Sequence, residues 1–127
     1  MTKIRITKEF NIEMAHALLG YDGLCKNIHG HSYKLDVTLI GTPINNETMP
    51  HNGMIMDFSK LKHIIKSEII DKYDHALLLN YKTPIIELEK AEQLFGKTLL
   101  LPYQPTCENL LVEFAKVIEP LLPNDIK

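Results

Sequence analysis

The chain has no tryptophan and only two cysteines, Cys25 and Cys107, in 127 residues. Two cysteines do not make a disulfide framework, so a reduced, cytoplasmic setting is expected. Lys and Arg number 14 against 16 Asp and Glu, a formal charge of −2, so there is no overall basic field to attract nucleic acid. A local cluster of lysines could still hold a small anion. No apolar run approaches the roughly 18 to 20 residues of a membrane span. The opening stretch MTKIRITKEF has no signal-peptide h-region. Internal repeats and low-complexity tracts are missing too. What is present is an ordinary globular composition, 45% hydrophobic and 24% charged, in a length that suits one domain with one core.

Residues 4 to 16 alternate. Ile4, Ile6, Phe10, Ile12, Met14 and His16 share one parity, broken only by Lys8, while Arg5, Thr7, Glu9, Asn11 and Glu13 take the other. A period of two marks a half-buried strand. A loop with Gly20 and Gly23 follows over 17–28. Tyr33, Leu35, Val37 and Leu39 then alternate with Ser32, Lys34, Asp36 and Thr38, and this run ends near Gly41. Two such strands joined by one loop predict an antiparallel hairpin. Asn52-Gly53 reads as a turn, with a short strand over 54–56. Asp57 or Ser59 caps a helix that turns Leu61, Ile64, Ile65, Ile69 and Ile70 inward and stops near Tyr73. A short helix is expected over 85–95, ended by Gly96, and a short strand over 98–101. Thr106 is a good N-cap for a second long helix carrying Leu110, Leu111, Phe114, Val117, Ile118 and Leu121 on its inner face. Pro123-Asn124-Asp125 reads as a turn before the start of another strand. This order predicts an α+β fold: an antiparallel sheet with two long helices packed on one face.

His29 and His31 are two apart on a strand, so they point to the same face. Gly30 between them lets a neighbouring backbone come close. His16 ends the preceding strand on its inward parity. In a hairpin the three imidazoles converge at the loop end. Three neutral imidazoles with one open coordination position describe a catalytic zinc site. A lone inward histidine is more often a hydrogen-bonded core residue, and H-x-H by itself also occurs without metal. The third histidine, placed by an independent alternation, tips the reading toward metal. His51, in a turn-rich loop, and His63, on the polar side of a helix, read as solvated.

Cys25 sits in the loop just ahead of the histidine pair. Lys26 and a nearby Zn²⁺ would both favour its thiolate, which makes it a candidate general base or nucleophile. An incidental loop cysteine is an equal alternative. Cys107, in the first turn of a helix, reads as packing. A carboxylate beside a histidine can fix its tautomer, so in Asp74-His75 the imidazole could carry a proton in the opposite sense to Cys25. The plainer reading of that pair is a helix end where a cation meets the dipole.

Five stretches, "FNIEMAHAL", "CKNIHGHSYKLDVTLIG", "GMIMDFSKLK", "YDHALLLN" and "PTCENL", together resemble the 6-pyruvoyltetrahydropterin synthase family over residues 10 to 111. The short spacing from Cys25 to His29 is most similar to the bacterial branch that forms 6-carboxy-5,6,7,8-tetrahydropterin in queuosine biosynthesis. The segment from Pro84 to Leu101 looks like an insertion relative to shorter members. The resemblance implies a tunnelling fold, with sheets joined into trimeric barrels, two trimers stacked as a homo-hexamer, and active sites at subunit interfaces. It implies Zn²⁺ on His16, His29 and His31, Cys25 as proton acceptor, and His75 supported by Asp74 in a proton relay. Thr106 and Glu108 match a motif near the pterin pocket. The implied substrate is a small pterin triphosphate, 7,8-dihydroneopterin triphosphate, with no nucleic acid or membrane partner. The carboxy branch releases acetaldehyde and triphosphate from it; the pyruvoyl branch acts on the same substrate, and a non-catalytic zinc- or pterin-binding protein is a third reading. The family also has a final strand bearing a pterin-anchoring glutamate. No residue here matches it, so residues 1–127 are expected to be one pterin synthase domain lacking that strand.

Overall fold

A computed structural model describes residues 2–127. Strand β1 (Ile4–His16) and strand β2 (His29–Gly41) pair antiparallel along their whole length, from Ile4 opposite Gly41 to His16 opposite His29. The predicted hairpin therefore forms in the register the alternation requires: a slip by one residue would turn the apolar parity to solvent. Helix α1 (Phe58–Ile65) starts at Asp57, whose carboxylate accepts from the Ser59 N–H at 2.8 Å. It continues through a five-residue π turn (Lys66–Ile70) into the short α2 (Asp71–Tyr73). Strand β3 (Ala76–Asn80), α3 (Ile85–Leu94), β4 (Thr98–Leu101) and α4 (Cys107–Ile118) follow. Among the described residues no helix is long and apolar enough to cross a membrane.

The sheet order is β2-β1-β3-β4. It is mixed, where an antiparallel sheet was expected: β3 runs parallel to β1, and β4 parallel to β3. The reason is the connections. A direct loop over 17–28 leaves β1 and β2 antiparallel, whereas β3 and β4 are each entered after a helix, and a helical connection permits parallel pairing. Strand β3 itself escaped the sequence reading. Its first four residues, Ala76 to Leu79, are all buried, and an unbroken apolar run shows no period of two. Residues 54–56 do not form the expected strand: Met54 O accepts the Ile44 N–H at 2.9 Å and Met54 N–H donates to His51 O at 3.1 Å, and the bends at Ile55 and Met56 bury both side chains.

The main core lies between one sheet face and the long helices, with Ile12, Leu39, Leu61, Ile65, Ile69 and Leu78 at its centre. Leu61, Ile65, Ile69 and Tyr73 are all buried and recur every four residues. A regular α-helix would carry such a row round its axis by about 40° per step. The π turn underwinds the helix and keeps the row facing the sheet. Tyr73 then meets the Phe114 ring of α4 edge-on, with centroids 5.0 Å apart. The shorter α3 covers the opposite face at β3, where Leu77, Leu79 and Ala91 pack with Ala15, Leu88 and Phe95. Beyond α4, the turn at 123–126 seats Ile126 in the core, and Lys127 exchanges two backbone bonds with Ile40 on the outer edge of β2, at 2.7 and 3.0 Å.

Candidate functional site

The three histidines converge at the loop end of the hairpin. One ligand nitrogen from each of His16, His29 and His31 can be chosen so that all lie within 4.8 Å of one another. His16 is buried, His29 half-buried and His31 exposed, so the cluster opens to solvent on the His31 side. The hydrogen bonds fix two of the rings. His16 Nδ1 lies 2.6 Å from the Pro105 carbonyl, and His29 Nδ1 lies 2.7 Å from the Asn27 carbonyl. A carbonyl oxygen only accepts, so both Nδ1 atoms carry the hydrogen and donate it. In the neutral rings the remaining lone pairs are on Nε2, and these two nitrogens face each other at 3.0 Å.

Two lone pairs cannot satisfy each other. A donor or a Lewis acid must lie between or beside them: a proton, a water hydrogen or a metal ion. Burial, with the charges of His29 and His31 adding to it and the Pro105 carbonyl opposing it, holds His16 below its ordinary value of 6.5, which disfavours the proton. The donor set fits a tetrahedral ion such as zinc: neutral imidazole nitrogens at about 2.0 to 2.1 Å from such an ion stand roughly 3.3 Å apart. The two carbonyls supply the outer support that metal-bound histidines commonly have. Tyr33 closes the core side, its ring centroid 5.4 Å from that of His31. Burial pushes its hydroxyl up to about 12, and the hydroxyl has no hydrogen-bond partner among the described residues.

Cys25 lies in a 3₁₀ turn (Leu24–Lys26), exposed, outside the histidine group. Its carbonyl accepts the Leu18 N–H at 2.9 Å, which closes the loop back on the end of β1. Gln104 fastens the same loop, donating to Leu19 O at 2.9 Å and accepting from Leu19 N at 3.2 Å. Thr106 caps α4 as expected, its hydroxyl accepting from the Asn109 N–H at 3.2 Å. It follows Pro105, the residue bonded to His16, so the start of α4 borders the metal cluster. Glu108 is exposed in the first turn of that helix, as is Cys107. His63 is exposed and His51 half-buried, and neither joins the cluster.

Asp74 and His75 end the helical segment and precede β3. Asp74 Oδ2 accepts from His75 Nδ1 at 2.9 Å, while Asp74 Oδ1 accepts the Glu13 N–H at 2.9 Å. With Nδ1–H committed to the carboxylate, a neutral His75 presents its lone pair at Nε2. The Glu13 N–H, more than His75, holds the Asp74 carboxyl below its ordinary value of 3.8. The stability this contributes is present above 3.8 and is lost as pH falls through the lower folded value. Asp74→Asn is therefore expected to flatten the acid limb of the stability profile below about pH 3.8 while leaving the neutral limb's shape unchanged, as read from urea midpoints across pH. An acid limb as steep as in the wild type would contradict this.

The pair does not join the metal cluster within one chain. The face of β1 and β3 that carries Met14, His16, Ala76 and Leu78 belongs to the main core, while Ala15, Leu77 and Leu79 face the other way. His75 opens into a cleft about 340 Å³ in volume, with Glu13, Ala15, Ser32 and Phe95 among its walls, and His31 of the cluster also lines it. His75 nevertheless lies outside the group of three ligand nitrogens. His75 also adopts a positive φ of 61°, a conformation unusual for a side chain other than glycine. Pro105, Asn27, Gln104 and Glu13, which hold the functional side chains in place, had no sequence signal, because most act through main-chain atoms that every residue possesses.

A mixed sheet of this order, with long helices on one face and a three-histidine group at the hairpin end, is the tunnelling fold, and the group could hold a metal ion. Residues 5–127 match 6-pyruvoyl tetrahydropterin synthase, and the chain belongs to that family. A protein of Haemophilus influenzae named 6-carboxy-5,6,7,8-tetrahydropterin synthase is 39% identical over 109 residues, covering 84% of this chain and 75% of its own length. A protein of the same name from Rickettsia bellii is 27% identical over 119 residues, covering 94% and 83%. The solved structure of Caenorhabditis elegans 6-pyruvoyl tetrahydropterin synthase matches with a TM-score of 0.64 at 25% identity, over 98% of this chain and 83% of that one. An uncharacterised protein from Wolinella succinogenes shares the fold, with a TM-score of 0.68 at 19% identity over 95% and 88%.

Proposed function

We propose that this chain is a zinc-dependent 6-carboxy-5,6,7,8-tetrahydropterin synthase. It would convert 7,8-dihydroneopterin triphosphate to 6-carboxy-5,6,7,8-tetrahydropterin, releasing acetaldehyde and triphosphate, as a step toward queuosine. The observation that carries the zinc reading is the opposed pair of Nε2 atoms at 3.0 Å, each on a ring whose Nδ1–H is already committed. The carboxy reading is supported by the names of the relatives at 39% and 27% identity and by the short spacing between Cys25 and His29.

Zinc held by His16, His29 and His31 would supply a Lewis acid that makes the C–H beside a substrate oxygen more acidic. Cys25, as thiolate, takes a proton on one side of the substrate. His75 exchanges a proton on the other through Nε2, and Asp74 keeps the proton on Nδ1 so that Nε2 stays available. Thr106 and Glu108, at the start of α4, hold the pterin ring beside the metal. Because the Asp74–His75 pair does not join the three-histidine group within one chain, a site that uses both takes them from two subunits. That matches the homo-hexamer, two stacked trimers, that the resemblance implies.

The deciding experiment is a product assay. Zinc-loaded protein given 7,8-dihydroneopterin triphosphate should release acetaldehyde and yield the 6-carboxy product by mass spectrometry. A 6-pyruvoyl product would move the chain to the second reading, which the match to the C. elegans structure keeps in view. No turnover of this substrate would leave the zinc- or pterin-binding reading.

A further inference from the structure

Lys97 lies in the turn between α3 and β4. Its Nζ donates to two carbonyls, Asp71 O at 2.7 Å and Asp74 O at 2.8 Å. Both are at the end of the helical segment, where main-chain carbonyls lack helical partners. The second contact carries the argument. The Asp74 carbonyl and the His75 N–H belong to one peptide plane. The oxygen of that plane is held by Lys97, and its N–H donates to Glu13 O at 2.6 Å. One plane is thus fixed from both sides, by β1 and by the segment that follows α3.

The orientation of that plane sets the torsion about the His75 N–Cα bond. His75 sits at a φ of 61°, which a residue with a Cβ holds only when its surroundings impose it. Glu13 fixes only the N–H end. Without Lys97 the carbonyl end can swing, and the imidazole swings with it.

We propose that Lys97 is a positioning residue for His75: by pinning the Asp74–His75 peptide it aims the imidazole into its cleft. The inference rests on the proton-transfer role proposed for His75, and it makes the segment after α3 part of the active-site support. The alternative is a plain helix cap, which would affect stability alone.

The test compares Lys97→Met, which keeps the stem and removes the donors, with Lys97→Arg, whose fork can reach both carbonyls. Steady-state kinetics on the zinc-loaded full chain with 7,8-dihydroneopterin triphosphate are read beside amide hydrogen exchange at His75. Lys97→Met is expected to lower kcat about tenfold with KM changed by less than about twofold, since misplacing a proton-transfer group acts on the chemical step. Exchange at the His75 amide should quicken by about tenfold as its bond to Glu13 loosens. Lys97→Arg should recover most of both. Wild-type kcat and wild-type exchange in Lys97→Met would overturn the proposal, as would a fall in melting temperature with no change in either. Should Lys97→Met fail to fold, Lys97→Gln, with one amide donor group, is read by the same criteria. If the wild type shows no turnover, the proposed function fails, and the exchange measurement still decides whether Lys97 holds the His75 peptide.

Discussion

Replacing His29 with alanine is expected to remove the metal and the activity together, while leaving the metal-free protein no less stable than the wild type. The first half follows from ligand count. Two imidazoles remain, and loss even of an outer-shell partner costs about 10- to 100-fold in metal affinity, so loss of a direct ligand costs more. A Lewis acid contributes several kcal/mol of charge stabilisation, so turnover should fall by roughly a thousandfold or more. The second half follows from the opposed Nε2 atoms of His16 and His29. Without metal, the wild type leaves two lone pairs facing each other unless a proton or a solvent hydrogen reaches them beside a buried ring. His29→Ala removes that conflict and leaves only the Asn27 carbonyl without its bond, in an exposed position. Zinc content after dialysis and urea midpoints with and without zinc check both halves. In the wild type, free zinc about a thousandfold above its Kd should add roughly 4 kcal/mol to the unfolding free energy; in the variant it should add almost none. A variant that keeps its zinc, or whose metal-free form unfolds far more easily than the wild type, would make His29 a packing residue.

The second large effect concerns the two halves of the site, the histidine cluster and the Asp74–His75 pair. His29→Ala and His75→Ala should each be inactive alone. Mixed as subunits of one oligomer, they should regain activity. His75→Ala subunits have an intact histidine cluster, and His29→Ala subunits have an intact Asp74–His75 pair. If each site joins the cluster of one subunit to the pair of its neighbour, random equal mixing in a closed ring makes about one quarter of the sites whole. Coexpression of the two variants and assay of the purified mixed oligomer gives the number directly. Activity no higher than that of the separate variants would mean that both halves serve one chain, and the two-subunit site would have to be abandoned.

The hairpin and its cluster were legible because each strand has one wet face. The alternation that buries Phe10, Ile12 and Met14 also places His16, and the partner alternation places His29 and His31 opposite and beside it. Strand β3 was not legible, because burial on both faces erases the pattern. With β3 unread, neither the parallel pairings nor the face on which His75 opens could be derived. The positive φ at His75 would have defeated parity counting in any case. Lys97 was out of reach for a different reason. It acts on carbonyl oxygens 23 and 26 residues earlier in the chain, and a carbonyl has no sequence identity.

The widened turn at Lys66–Ile70 has a consequence for what comes after it. Each residue of an α-helix rotates everything downstream by about 100° and advances it by about 1.5 Å. Loss of one residue here would restore regular winding and leave Leu61 and Ile65 seated. Because a π turn holds one residue more than the α turn it replaces, Tyr73 and the turn behind it would then arrive close to their present phase, with the Asp74 carboxylate still near the Glu13 N–H. The π turn is therefore the place where the segment takes up an extra residue without moving the residues it delivers.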